Sequence, residues 1–361
     1  MQNIFLTGGT DGIGLSAARS LLAMNHRLFI TYRNKNKLDA VKFEFKSFCD
    51  DKKVSFLRCD LSEPDDINEI VNVFSKSKIK LNCLINNAGT ILFKKSYNSV
   101  GIEKVFATNH LGPFYLTNRL LEKNLIHEGG RIINVGSSAH KTAVLDFNNL
   151  DSSNSKSWYE RYSRSKLCNL LFTLKLSENL TEKNISVNCV HPGIVNTNIG
   201  QDHKGFLQFI IRLVLKYRGI SPEEGADTLV YLATNETVQN VSGKYFIKRS
   251  ESNPSKEALK SDIADRLWQE STKVPLIISA PNISMKNSFS DTPVSLIDLY
   301  PTLIDLCNLS PETKKNNLGI MAYIRGMAIS GCSPEKMGIG PVLSSQKALQ
   351  RAGIKLEDVD I

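Results

Sequence analysis

The first fourteen residues constrain the fold more than any other part of this chain. An apolar run, Ile4-Phe5-Leu6, passes directly into Thr7-Gly8-Gly9-Thr10-Asp11-Gly12-Ile13-Gly14, and a helical apolar pattern follows through Leu15, Ala18, Leu21 and Leu22. That order predicts strand, tight glycine turn, helix. Gly8 permits the turn, Gly12 lets the main chain approach an anion, and Gly14 lets the helix pack close to the sheet. The helix N-terminus points unpaired N–H groups at the loop, which suits a pyrophosphate. A dinucleotide site is therefore the leading reading, with an ordinary tight turn as the alternative.

The pattern continues. Apolar runs at Leu28-Phe29-Ile30, Val54–Leu57, Leu81–Ile85, Ile132–Val135 and Ile185–Val190 alternate with helical periodicity. Strands and helices in alternation predict an α/β fold with a doubly wound parallel sheet. After the second run comes Thr31-Tyr32-Arg33-Asn34, where an NAD-type site carries an acid for the ribose hydroxyl. No acid stands there. Arg33, near Lys35 and Lys37, suits a 2'-phosphate, which favours NADP(H) and leaves NAD(H) as the alternative. Against this, Asp11 in the loop would repel that phosphate, and a plain surface charge is the simpler reading of Arg33.

Tyr162 and Lys166 lie four residues apart in a stretch that reads as helix, so one face presents a phenol beside an ammonium. A fixed positive charge favours phenolate and is expected to draw the phenol pKa toward the working pH. Alone, the spacing also fits a solvated helix face.

In order along the chain, the glycine loop, Asp60, Asn86-Asn87-Ala88-Gly89, Asn109, Ser137 after Arg131–Val135, Tyr162 with Lys166, and His191-Pro192-Gly193 resemble the short-chain dehydrogenase/reductases, close to their retinol-dehydrogenase-like branch. The resemblance runs from Met1 to about Lys273 and implies a Rossmann-type domain over residues 1–273. It implies that Ser137 holds the substrate oxygen, Tyr162 transfers the proton, Lys166 lowers the phenol pKa and binds the nicotinamide ribose, and Asn109 anchors a water relay. It also implies a cofactor cleft lined by Thr7, Gly8, Thr10, Gly12, Ile13, Gly14, Arg33, Asp60, Leu61, Asn87, Ala88, Gly89, Pro192, Gly193, Val195 and Thr197, together with Tyr162 and Lys166. Asp60 would face the adenine, and it reads equally well as a cap for the helix after Pro64. Ser138 adjoins Ser137 but points the other way in an extended chain, so Ser137 is favoured. Tyr159 reads as packing or pocket lining. No histidine has metal-ligand spacing, and no metal is expected.

Residues 205–216, Gly-Phe-Leu-Gln-Phe-Ile-Ile-Arg-Leu-Val-Leu-Lys, stand where such proteins place a variable substrate lid. The run is too short for a span, which needs about 20 residues. It suits a lid over a lipophilic alcohol, aldehyde or ketone, a packing helix, or peripheral membrane contact through 206–215. The chain starts directly on its first strand, and its seven cysteines lack CxxC spacing, so a reduced, cytoplasmic enzyme is expected. A homo-oligomer is compatible with this. The net charge of +9 comes from dispersed lysines without a recognition motif, which argues against nucleic acid.

Residues 274–319 resemble an interior stretch of a sulfatase, and 320–361 an internal piece of a thiolase. Neither carries its family's nucleophile, so both are expected to be non-catalytic, in a chimeric chain with a non-homologous C-terminal extension. A packing extension with helices at Val294–Leu309 and Leu343–Arg351 is the simpler alternative. For the whole chain, a cofactor-binding scaffold with a partner-recruiting tail is the competing function.

Overall fold

The structure is a computed structural model, and it describes residues 1–195, 219–274 and 294–295. Thr197, the 206–215 run and nearly all of the 274–319 and 320–361 segments lie outside the described residues. Contacts divide the chain into two compact units, Met1–Trp268 and Gln269–Ile361.

In the first unit, strands β1 (Asn3–Leu6), β2 (Arg27–Tyr32), β3 (Val54–Arg58), β4 (Leu81–Asn86), β5 (Ile126–Val135), β6 (Ser186–His191), β7 (Lys244–Ile247) and β8 (Ser250–Glu251) form one sheet. Their order is β3-β2-β1-β4-β5-β6-β7-β8. All neighbours pair in parallel except β7 and β8, which form an antiparallel hairpin. The sheet runs on past the last of the apolar runs, Ile185–Val190, by two strands, β7 and β8. The two-residue β8 is too short to show a period of its own, and Lys248 and Arg249 both adopt positive φ to make its turn.

Both faces of the sheet are covered, which is why the strands read as continuous apolar runs. Ile4 and Leu6 turn one way, into a core shared with Leu28, Ile30, Ile85 and Val190 and with Leu21 and Leu229 from helices Gly12–Ala23 and Pro222–Thr234. Phe5 turns the other way, toward Phe29, Phe74, Leu84, Phe114 and Phe172. Helix Ser261–Thr272 closes this side, with Trp268 edge-on to Phe114 at 5.1 Å between ring centroids.

Helix starts follow local chemistry. Asp11 accepts the Gly12 N–H at 2.8 Å, Ser157 accepts the Glu160 N–H at 3.2 Å, and Ser221 with Glu224 forms a capping box. The helix Pro64–Ser77 is different: its cap position is Glu63, with no side-chain cap bond. Asp60 therefore does not cap it. Its carboxylate instead accepts from the Ser62 N–H and hydroxyl, at 3.0 and 2.7 Å, in a turn two residues long.

In the second unit, Lys273–Val274 (β9) pairs antiparallel with Val294–Ser295 (β10). Val294 thus begins in a strand and not in the helix that its spacing suggested.

Candidate active site

Strand order reverses between β1 and β4, and ligands of open α/β sheets bind at such a switch point, beyond the strand carboxyl ends. The segments singled out from sequence leave the sheet there. Thr7–Gly14 follows β1, Asn87–Gly89 follows β4, Ser137 follows β5, and Pro192–Val195 follows β6.

The glycine loop is tied to its neighbours by Thr7. Its hydroxyl oxygen accepts the N–H groups of Asn87 and Ala88, each at 3.0 Å, while the Asn87 amide donates to the carbonyls of Thr7 and Gly8 at 2.9 and 3.1 Å. The Gly8 N–H donates to the Thr31 hydroxyl at 2.9 Å, a contact with no sequence signature. Gly8 and Gly12 both have positive φ. A Cβ on Gly14 would lie 2.2 Å from the Gly8 carbonyl oxygen, so the helix packs on the loop more tightly than any side chain permits. Thr10 and Ile13 are half-buried in the same loop. Val195 is buried, and a Cβ on Gly225 would touch both it and Ile13.

At the edge of this cleft Arg33 and Lys104 each approach the Asp60 carboxylate at 3.7 Å. Burial alone would raise the Asp60 carboxyl, but the Ser62 hydrogen bonds and the charges of Lys104 and Arg33 outweigh it and hold it below its ordinary value. Arg33 itself is exposed. Lys37 pairs with Asp11, which offsets the repulsion expected of Asp11 toward a phosphate. The Leu61 side chain is buried in the core with Phe5 and Phe114, so only its main chain is left for a cofactor.

Tyr162 and Lys166 lie on one helix, Trp158–Asn179. Lys166 is buried and its ammonium donates to the Val135 carbonyl at 2.9 Å. Burial pushes its pKa down to about 8. The Tyr162 phenol is raised above its usual value by burial, with a hydrogen bond to Ser137 acting the other way. The net direction is opposite to the one that a neighbouring positive charge alone would give. The ammonium sits 5.8 Å from the phenol ring centre and is held on Val135, so desolvation of the phenol dominates. Gly89 leaves the space beside Lys166 open, since a Cβ there would lie 3.5 Å from the ammonium and 3.3 Å from the Asn109 Oδ1.

Ser137 has extended backbone, and its hydroxyl oxygen accepts the Ala139 N–H at 3.2 Å. Ser138 is exposed; Ser137 is the serine at the phenol. Asn109 is fully buried in a π-helical turn, Ala107–Leu111, a form frequent at functional sites. Its Oδ1 accepts the Thr90 N–H at 2.7 Å, and its amide donates to the Thr90 carbonyl and the Ser165 hydroxyl, both at 3.0 Å. Ser165 donates in turn to the Tyr162 carbonyl at 2.7 Å. The amide is thus committed to protein partners, and it ties the Thr90 main chain to the helix that carries Tyr162. Tyr159, exposed at the helix start, lies 3.2 Å from the Thr142 hydroxyl.

Sequence reading missed one feature altogether. Glu103 and Arg161 form an ion pair at 3.3 Å with both side chains fully buried. Glu103 also accepts the Val105 and Phe106 N–H groups at 2.8 and 3.0 Å, and Arg161 donates to the Leu92 and Phe93 carbonyls at 2.7 and 3.1 Å. The pair joins the segment leading to Asn109 to the residue before Tyr162. Two charges separated by 58 positions carry no local pattern, so nothing in the sequence marks it.

The comparisons agree with this geometry. Residues 2–205 match the family model for short chain dehydrogenase, and residues 318–361 match that for the thiolase C-terminal domain. Short-chain dehydrogenase TIC 32 A, chloroplastic, of Brassica napus is 35% identical, over 74% of this chain and 87% of its own length. Human polyprenol dehydrogenase is 33% identical over 74% and 83%, and human retinol dehydrogenase 13 is 32% identical over 78% and 86%. Among solved structures, a blue fluorescent protein from a metagenomic library in complex with NADPH superposes with a TM-score of 0.54 at 24% identity, covering 68% of this chain and 95% of that one. With the sheet order and the constellation around Tyr162 on the same footing, the chain belongs to the short-chain dehydrogenase/reductase family and is an oxidoreductase of the NAD(P)-dependent class.

Proposed function

We propose that this protein is an NADP(H)-dependent oxidoreductase that interconverts a lipophilic alcohol and its aldehyde or ketone. The observation that carries the proposal is the convergence of Ser137 on Tyr162, with the buried Lys166 ammonium behind them and room kept open by Gly89. The glycine loop fits a dinucleotide: Gly8 and Gly12 take positive φ, and the start of the Gly12–Ala23 helix faces the switch point. Such a cofactor supplies the hydride chemistry when bound.

The chain's own residues supply the rest. As negative charge grows on the carbonyl oxygen, the Ser137 hydroxyl donates to it and the Tyr162 phenol gives it a proton. A phenol raised by burial stays protonated at neutral pH, which suits the acid role in the reducing direction. Lys166 keeps a positive charge near the site up to about pH 8 and would hold the nicotinamide ribose. Asn109, through Ser165, fixes the main chain at Tyr162. Arg33 is exposed beside Asp60 and suits a 2'-phosphate, while Lys104 stays on Asp60. The two relatives named for polyprenol and retinol are named for long apolar alcohols, and this supports a lipophilic substrate.

Among the described residues no helix is long and apolar enough to cross a membrane; a cytoplasmic location is part of this proposal. The tail segments 274–319 and 320–361 are proposed to be non-catalytic.

The test is to follow reduced-nicotinamide absorbance with the purified chain, NADPH or NADH, and a panel of medium and long aliphatic and aromatic aldehydes. Consumption of NADPH in preference to NADH is expected. Tight cofactor binding with no turnover on any carbonyl would overturn the proposal.

A further inference from the structure

His140 lies in the short helical turn Ser138–Thr142 that follows Ser137. Its ring is buried and stands edge-on to Tyr245 at 5.0 Å between centroids. The Nδ1 atom lies 2.6 Å from the Ser137 carbonyl oxygen, and Nε2 lies 3.1 Å from the Ser255 nitrogen, whose N–H donates to it. A carbonyl only accepts and an N–H only donates, so both bonds form together in one state alone, the neutral ring with its proton on Nδ1.

Ser255 comes after the β7–β8 hairpin, and its hydroxyl and carbonyl both accept the Ala258 N–H that starts the next turn. The hairpin is pinned to the same stretch, because the Ser252 N–H donates to the Tyr245 carbonyl at 2.8 Å. His140 thus joins the end of β5 to a segment more than a hundred positions later. The charged and titratable groups facing it are Lys141 beside it in the turn, His191 from β6, and Tyr245 from β7, whose ring it meets edge-on.

We propose that His140 is a positioning residue, whose imidazole clamps the Ser137 main chain to the Ser255 main chain and so holds the Ser137 hydroxyl at the Tyr162 phenol. The proposal rests on the reading of Ser137 as the group that holds the substrate oxygen. Ser137 is the last residue before the turn, with one torsion setting its hydroxyl. A carbonyl fixed from behind by a short bond stops the peptide plane from rocking, and small misplacements of a reacting group cost large factors in rate.

Three substitutions separate the two arms. His140→Asn keeps a donor near the Nδ1 position, His140→Gln keeps an acceptor near the Nε2 position, and His140→Phe keeps the ring against Tyr245 but neither bond. With full-length protein, kcat is expected to fall about tenfold or more in the Gln and Phe variants and to be only partly rescued in Asn, which keeps the Ser137 arm and loses the Ser255 arm, while NADPH affinity stays within about twofold. In a Ser137→Ala background, the same changes should each cost less than about twofold more. Equal losses in all three variants, or losses that multiply with Ser137→Ala, would mean a merely structural histidine and would overturn the proposal.

A second readout needs no turnover. Imidazole 15N spectra at neutral pH should show the proton on Nδ1, and the Ser255 amide should exchange slowly in the wild type and quickly in His140→Phe. A proton on Nε2 would overturn the clamp even in an active enzyme. If the wild type turned over no carbonyl, the oxidoreductase reading would fail, and these spectra would still decide for or against the clamp.

Discussion

Lys166 donates a hydrogen bond to the Val135 carbonyl oxygen at 2.9 Å. The ammonium of the Trp158–Asn179 helix is thereby fixed to the strand end that leads, two residues on, into Ser137. Acid and oxygen-holding groups come from different elements, and this bond is where those elements are joined.

Burial places the Lys166 pKa at about 8, below the ~10.4 of a free lysine. Between those values the unfolded chain binds more protons than the folded one, so this group's contribution to stability rises as pH climbs from about 8 toward ~10.4. Below about 8 the cost of burying the charge is present in full. Wild-type unfolding free energy, measured in urea across this window, should rise relative to that of Lys166→Met. Parallel curves would show a lysine that titrates normally.

Replacing Tyr162 by Phe removes the proton donor and leaves the ring. Turnover should drop by at least about a hundredfold, in the range general acids contribute, while NADPH binding by fluorescence titration stays within about twofold. Retained turnover in this variant is incompatible with the mechanism.

Arg33→Ala should weaken NADPH by about tenfold or more and leave NADH nearly unchanged, since a charge-assisted bond to phosphate is worth roughly 1.5–3 kcal/mol. Thermal stability should hardly move, because Arg33 is exposed and its ion pair to Asp60 is long, at 3.7 Å. Calorimetric titration with both nucleotides checks this, and an unaltered NADPH to NADH preference would show that Arg33 does not read the phosphate.

Gly14→Ala places a methyl group 2.2 Å from the Gly8 carbonyl oxygen. Loop and helix must separate, at a cost of roughly 1–3 kcal/mol, and dinucleotide affinity should fall with stability. Chemical denaturation together with cofactor titration reads both; a variant as stable as wild type would mean that the loop is not packed as described.

Truncation after Lys273 keeps the whole Met1–Trp268 unit and the helix Ser261–Thr272. The shortened protein should retain NADPH turnover and a cooperative melt. An insoluble or inactive product would show that the remaining residues complete the fold.

Several of these features were legible from residue order alone. The strand, loop and helix at Thr7–Gly14 were readable because each is local and each glycine meets a steric demand nearby. Tyr162 and Lys166 were readable because helix periodicity puts them on one face. The direction of the Tyr162 shift was not, since spacing counts charges and says nothing of desolvation. Asp60 shows the same limit: its residue type fits a cap, but the bond to Ser62 depends on where Pro64 starts the helix. Contacts such as Gly8 with Thr31, Lys104 with Asp60, and His140 with Ser255 join distant positions, and no periodicity records them.

The Glu103–Arg161 pair bears on how the site responds to heat. Hydration of ions weakens as temperature rises, so the penalty for keeping these two charges out of water shrinks on warming, while apolar stabilisation per unit area levels off. The walls that carry Asn109 and Tyr162 are therefore braced by an interaction that gains relative to the surrounding apolar packing as the protein is heated.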